Sequence, residues 1–233
     1  MIKDKPRSKI ICKKLLAWYK SEGRNFPWRD TQDKFKVLVS EIFLQKTQTT
    51  NVLDLYPHFF KKYRGFKDLR DVSMEELKDD VMQLGLVNKR SKILKRVADF
   101  FTPEVSSPSL NTVSVDKLQE IKGIGQYVAK AYACFGRNEQ VYFWDVNVKR
   151  VLGRVFQGSE VMKKKSELKQ TLLDLVPRKD PKNFYWAVLD LGALVCKKRD
   201  PMCHKCPLVG RCEYAKKYVN RANIEDLKKF SKN

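Results

Sequence analysis

Near the C-terminus, the run VCKKRDPMCHKCPLVGRC sets Cys196, Cys203, Cys206 and Cys212 in the spacing C-x6-C-x2-C-x5-C. Four thiols on one short loop have the ligand chemistry of a metal centre. Structural zinc draws its thiolates mostly from two separated close pairs, whereas only Cys203 and Cys206 form a close pair here. One close pair flanked by two single cysteines suits a [4Fe–4S] cubane, in which each iron takes one thiolate from a different direction. On spacing alone a zinc site or a disulfide pair stays open, although this chain is not a small secreted disulfide scaffold. A second pattern with binding chemistry is Lys122-Gly123-Ile124-Gly125. Its two glycines permit φ > 0 and close backbone approach. A helix starting just behind them presents free N–H groups and the positive end of its dipole to a phosphate. The same residues also fit an ordinary helical hairpin that uses glycine for packing.

The elements around these residues read as helical. In Phe35–Leu44 apolar residues return every three to four positions, as they do at Ile93, Leu94, Val97 and Phe100 and at Leu168, Leu172, Leu175 and Val176. Ser114 is placed to cap a short helix through Ile121, with a tight turn at 122–125 and a second helix from near Gln126. Val146–Phe156 reads as a helix with Asp145 at its N-cap. Val141-Tyr142-Phe143-Trp144 could be a strand, but it is short and isolated. The Pro/Ser-rich stretch Thr102–Ser109 is the clearest loop. The fold class is therefore all-α with short connections.

With 233 residues and 42% hydrophobic residues, the chain is long and apolar enough to bury a core, which excludes a disordered segment. No apolar run reaches membrane-spanning length and the N-terminus lacks a signal-peptide core. We expect a cytoplasmic protein without a membrane partner, nucleoid-associated if prokaryotic. The formal charge of +21 attracts polyanions. The basic residues spread along the whole chain rather than along one amphipathic stripe, which favours nucleic acid over a membrane surface.

FPWR, SEIFLQKTQ, GLVNKRSKIL, IKGIGQYVAKA, WDVNVKR, LDLGALVC and the cysteine loop, in that order, resemble the helix-hairpin-helix (HhH-GPD) DNA glycosylases. The resemblance runs from about Phe26 to Cys212 and points to the branch of endonuclease III, the adenine glycosylase MutY and the mismatch-specific thymine-DNA glycosylases, closest to the last. It implies a two-lobed fold: a six-helix barrel with the hairpin at 25–136, a lobe from 1–24 and 137–220 holding a [4Fe–4S] cluster through the four cysteines, and a tail at 221–233. Asp145 matches the catalytic aspartate and Asn147 an asparagine near it. Glu41 stands where a catalytic or base-contacting glutamate is kept. Tyr127 stands where bifunctional members carry a lysine nucleophile. Gly123 and Gly125 match the hairpin glycines. Gln45, Lys46 and Thr47 are the segment that fills the gap left by an extruded base. Asn88 in GLVN, with Lys122, Lys198 and Arg199, joins the expected DNA contacts.

Breaking a glycosidic bond builds positive charge on the sugar, which a carboxylate such as Asp145 can stabilise, or it can activate the incoming water. Without the resemblance, Asp145 reads first as a helix cap. A partly buried Glu41 would have a raised pKa and could protonate a leaving base; the alternative is that it lies on the solvent side of an amphipathic helix. Tyr127 cannot form a Schiff base, so no lyase step is expected. Lys130, one turn on, reads as a phosphate contact. Lys46 could equally be a phosphate contact or plain surface. GLVN and Lys46 resemble the mismatch thymine enzymes, and the chain ends before the extra domain with which MutY-type enzymes read 8-oxoguanine. We therefore expect removal of thymine or uracil opposite guanine from double-stranded DNA. The enzyme is expected to be a monomer and its abasic product to pass to an AP endonuclease. A MutY-like adenine glycosylase and an inactive structure-specific DNA-binding protein are the alternatives. The basic residues Lys197, Lys198, Arg199, Lys205 and Arg211 read as the DNA-facing part of the cysteine loop, and Cys12 and Cys134 as packing residues.

Overall fold

The computed structural model describes residues 5–102, 109–158 and 164–218. The Thr102–Ser109 loop is thus described only at its two ends, and the tail 221–233 lies outside the described residues. Among the described residues every regular element is helical. In chain order they are α1 (Lys5–Glu22), α2 (Pro27–Asp30), α3 (Lys34–Phe43), α4 (Thr49–Lys62), α5 (Phe66–Asp71), α6 (Met74–Asp80), α7 (Val87–Phe101), α8 (Val115–Gln119), α9 (Gln126–Arg137), α10 (Val146–Gln157), α11 (Lys165–Leu175), α12 (Pro181–Leu194) and α13 (Glu213–Tyr218). Short 3-10 turns occur at Met82–Leu84, Cys203–Lys205 and Val209–Arg211. Among the described residues no helix is long and apolar enough to cross a membrane. The chain divides into two compact units, one of Asn25–Asn138 and one of Met1–Arg24 with Glu139–Asn233.

In the first unit α3 is the central element. Asp33 starts it by accepting from the backbone N–H groups of Phe35 and Lys36. Helices α2, α4, α7 and α9 lie against it, and every residue from Val37 to Phe43 is buried. Edge-on aromatic pairs, Phe43 with Phe59 at 4.8 Å and Phe35 with Phe66 at 4.9 Å, fill the space beside it. Each such ring contributes on the order of 2 kcal/mol by leaving water.

The hairpin forms from α8 and α9. Ser114 Oγ accepts from Lys117 N–H at 3.1 Å, and α8 stops at Gln119, two residues short of the sequence expectation. Gly123 has φ +111°, and a Cβ there would sit 2.3 Å from Ile93 Cγ1. Gly123 is therefore required both by its backbone and by its closeness to α7. Gly125 differs from the sequence expectation. It is the extended N-cap of α9 with φ −86°, so it does not use the left-handed region.

In the second unit α1 and α10 pack on α12, and α11 and α13 pack on α10. The two chain segments of this unit are joined by an ion pair between the half-buried Arg24 and the buried Asp190. Asp190 accepts from Arg24 N–H at 2.7 Å and from Arg24 Nε at 2.8 Å. Val141–Trp144 is not a strand. Tyr185 takes the place of a strand partner: its hydroxyl donates to Val141 O at 2.9 Å and accepts from Phe143 N–H at 3.2 Å, while its ring stacks on Phe143 at 4.0 Å. This segment delivers the chain to Asp145.

Candidate active site

Glu41 sits on the fully buried stretch of α3, with 6% of its surface exposed. It has no solvent face to lie on, because α2, α4, α7 and α9 surround its helix. Burial pushes its carboxyl up to about 7, and the Arg29 guanidinium pulls back against that shift. A carboxyl poised there can hold a proton at neutral pH and give it up to a base. Tyr127 and Lys130 lie half-buried on α9, one of the helices packed on α3.

Asp145 combines the two readings that the sequence leaves open. It is the N-cap of α10, with Oδ1 accepting from Val148 N–H at 2.8 Å. Oδ2 accepts from the Asn147 amide at 2.9 Å. The carboxylate is partly exposed and is held in one orientation through both oxygens. Asn147 is itself held: Arg150 donates to its Oδ1 at 2.8 Å and to Gly192 O at 2.9 Å, and Arg150 Nε donates to the backbone carbonyl of Cys196 at 3.0 Å. A side chain at Gly192 would meet Asn147 Cβ at 3.1 Å. A relay of hydrogen bonds thus runs from the first cysteine of the loop to Asp145. Sequence reasoning missed Arg150 and Gly192, since their partners lie more than 40 residues away. The one available signal was WDVNVKR itself, which puts Arg150 one helical turn after Asn147.

Cys196, Cys203, Cys206 and Cys212 line one cavity in the second unit, together with Val151, Arg154 and Val195. Burial pushes the thiols of Cys203, Cys206 and Cys212 up, and other cysteines of the set add to the shift in each. Crowded thiols of this kind lose their protons readily only when a cation compensates them. Among the described residues no group of three or more His, Cys, Asp or Glu side chains converges to hold a metal ion. Arg154, 1% exposed, pins the loop by donating to Lys197 O at 2.6 Å, Lys198 O at 3.0 Å and Cys196 Sγ at 3.4 Å. Arg7 holds the far end through Arg211 O at 2.8 Å. The side chains of Lys197, Lys198, Arg199, Lys205 and Arg211 are all exposed. Cys134 is buried and burial pushes the Cys12 thiol up to about 11, which leaves both as packing residues.

The Gln45–Thr47 segment forms a turn after α3, with Lys46 exposed and in the left-handed region at φ 55°. The amide nitrogen of Gln45 is buried with no hydrogen-bond partner among the described residues, a donor available to a ligand. A second left-handed turn precedes α7, at Gly85 (φ 68°) and Leu86 (φ 51°). Leu86 is 50% exposed, an apolar side chain on strained backbone, and Asn88 beyond it is exposed. Lys122, Gly123 and Gly125 are exposed on the hairpin turn. Arg96 of α7 donates to Lys122 O at 3.0 Å. The first unit therefore carries three exposed turns, at 45–47, 85–86 and 122–125.

Over 215 residues the chain is 29% identical to the thymine/uracil-DNA glycosylase of Methanothermobacter thermautotrophicus, covering 91% of this chain and 96% of that one. It is 30% identical over 217 residues to the adenine DNA glycosylase of Buchnera aphidicola, covering 91% of this chain and 59% of that one. Its fold superposes on the solved structure of a thermostable thymine-DNA glycosylase with a TM-score of 0.81 and 28% identity, over 91% of this chain and 98% of that one. Residues 39–178, which include Glu41, the hairpin and Asp145, match the HhH-GPD superfamily of base excision DNA repair proteins, and the chain belongs to that family.

Proposed function

We propose that this chain is a monofunctional DNA N-glycosylase that extrudes a mismatched base from duplex DNA and hydrolyses its glycosidic bond. The observation that carries the reading is the carboxyl of Glu41, buried on the fully buried stretch of α3 and raised to about 7. In this reading Glu41 protonates the leaving base, and Asp145 stabilises the positive charge that grows on the sugar or activates the attacking water. Asn147 and Arg150 keep the Asp145 carboxylate aimed. Tyr127 has no amine, so no Schiff base forms and the product is an intact abasic site. An AP endonuclease would then cut that product.

Thymine or uracil opposite guanine is the favoured target. Two features support it: the thymine/uracil specificity named for the relative from Methanothermobacter thermautotrophicus, and Lys46 with the GLVN turn. Adenine removal is the second reading, favoured by the similarity to the Buchnera aphidicola enzyme. Duplexes carrying T:G, U:G, A:G, A:8-oxoguanine or A:C, treated with alkali after incubation, decide between them. Cleavage of T:G and U:G is expected. Cleavage of the adenine duplexes alone would hand the function to the second reading. Cleavage of none would leave a structure-specific DNA-binding protein.

We propose that the four cysteines hold a [4Fe–4S] cluster: they line one cavity, and their spacing offers one close pair flanked by two single cysteines. Structural zinc draws its thiolates mostly from two separated close pairs, a pattern that this loop lacks. The cluster would act as a covalent staple for the loop, alongside Arg154 and Arg7. Purified protein is expected to be coloured and to contain iron and sulfide; a colourless, zinc-loaded protein would overturn the assignment.

A further inference from the structure

Arg90, in the first turn of α7, is 3% exposed. Its partners are backbone carbonyls and one hydroxyl. NH2 donates to Phe43 O at 3.2 Å, Gln45 O at 3.1 Å and Thr47 Oγ1 at 2.6 Å. NH1 donates to Leu84 O at 3.1 Å and to Gly85 O. Thr47 closes the ring by donating to Leu84 O at 3.0 Å. Phe43 ends α3 and Leu84 ends a 3-10 turn. The cation therefore sits where two helical segments turn their unsatisfied carbonyls, and their dipoles offset the cost of burying its charge.

This arrangement joins two turns that are about 40 residues apart and that both hold left-handed backbone at non-glycine residues, Lys46 and Leu86. Such conformations persist only where the surroundings fix them. Lys46 and Leu86 are exposed, while Arg90, which bonds to their turns, is buried. Extruding a base costs a few kcal/mol, and a side chain pushed into the stack meets that cost only if the backbone under it does not yield.

We propose that Arg90 is a positioning residue that fuses the Gln45–Thr47 and Gly85–Leu86 turns into one rigid wedge, acting on base extrusion without touching DNA. The proposal rests on the glycosylase reading above. Arg90→Lys keeps the charge and cannot reach both turns; Thr47→Val removes one acceptor at nearly constant shape, and serves if the first variant folds poorly. The probe is a U:G duplex with 2-aminopurine beside the uracil, used for binding by anisotropy, for unstacking by fluorescence and for single-turnover excision. Arg90→Lys is expected to bind with an affinity within a few-fold of wild type, and both variants are expected to melt lower because buried acceptors lose their donors; excision is compared at a temperature at which each variant is folded. The fluorescence rise should be lost and excision should fall about tenfold, equivalent to ~1.4 kcal/mol of barrier. Excision of uracil placed opposite an abasic site, where little stacking and no pairing must be broken, should return to within about twofold of wild type. Equal losses on both duplexes, or no loss on either, would overturn the proposal while leaving the glycosylase reading intact. A wild-type protein that binds the duplex but neither raises the fluorescence nor excises the base would overturn both.

Discussion

Glu41 and Asp145 belong to different compact units and live in opposite surroundings. Glu41 is buried on a helix enclosed all round, where desolvation decides its chemistry. Asp145 is partly exposed at a helix N-terminus, with each oxygen accepting a hydrogen bond. One environment favours the protonated acid, the other holds a carboxylate in a fixed orientation. Two residues of the same chemical class are thereby set to different tasks, a proton donor and a charge stabiliser. The difference also explains their supports. Glu41 is set by its burial, with the Arg29 guanidinium pulling back, whereas Asp145 is held by a chain of polar groups reaching back through Asn147 and Arg150 to Cys196.

The comparison can be broken most severely at Asp145. Asp145→Asn keeps the shape and part of the cap but loses the charge. Single-turnover excision from a U:G duplex is expected to fall by about 10³-fold or more, with affinity in a gel-shift titration within a few-fold of wild type. Next comes Glu41→Gln, which removes the proton donor and is expected to cost about 10²-fold in the same assay. The same variant has a stability signature. The folded-state pKa of Glu41, about 7, lies above its ordinary value of 4.5. Its contribution to stability is therefore fully present below pH 4.5 and is lost as pH rises through about 7. Glu41→Gln does not titrate, so in urea denaturation it should gain on wild type between about pH 5 and pH 8, by on the order of 1–3 kcal/mol.

Smaller effects sharpen the comparison from the Asp145 side. Arg150→Lys loses at least one arm of the relay while keeping the charge, and excision should fall about tenfold with binding unchanged. Lys198→Ala with Arg199→Ala touches neither carboxylate. Affinity should drop a few-fold, and the log–log salt slope should become shallower by about 0.9 for each phosphate no longer neutralised.

What can be read from the sequence is what is local. Ser114, the hairpin turn and the Gln126 start are written in adjacent residues, and so is the Asp145 cap. Glycine freedom, expected at both hairpin positions, is used at Gly123 alone, because Gly125 occupies a cap with extended backbone. The burial of Glu41 is not legible. A helix covered on every side shows no polar stripe, so periodicity cannot separate a buried carboxyl from a surface one. The grips of Arg90, Arg150 and Arg154 are hidden for another reason. Each reads as one more cation in a chain with 48 lysines and arginines, and each finds its partners through tertiary contacts. The basic residues of the cysteine loop are legible as surface cations, but the sequence suggests a metal as the only thing holding them there. In the structure Arg154 and Arg7 hold the loop through its backbone carbonyls.

The division of labour between the two carboxyl groups is tested most directly by the pH dependence of single-turnover uracil excision in wild type and Glu41→Gln. The wild-type rate should hold at low pH and fall about tenfold per pH unit above the Glu41 value of about 7. The variant should be slower and should lack that fall. Superimposable pH profiles for the two proteins would contradict the assignment of Glu41 as the proton donor.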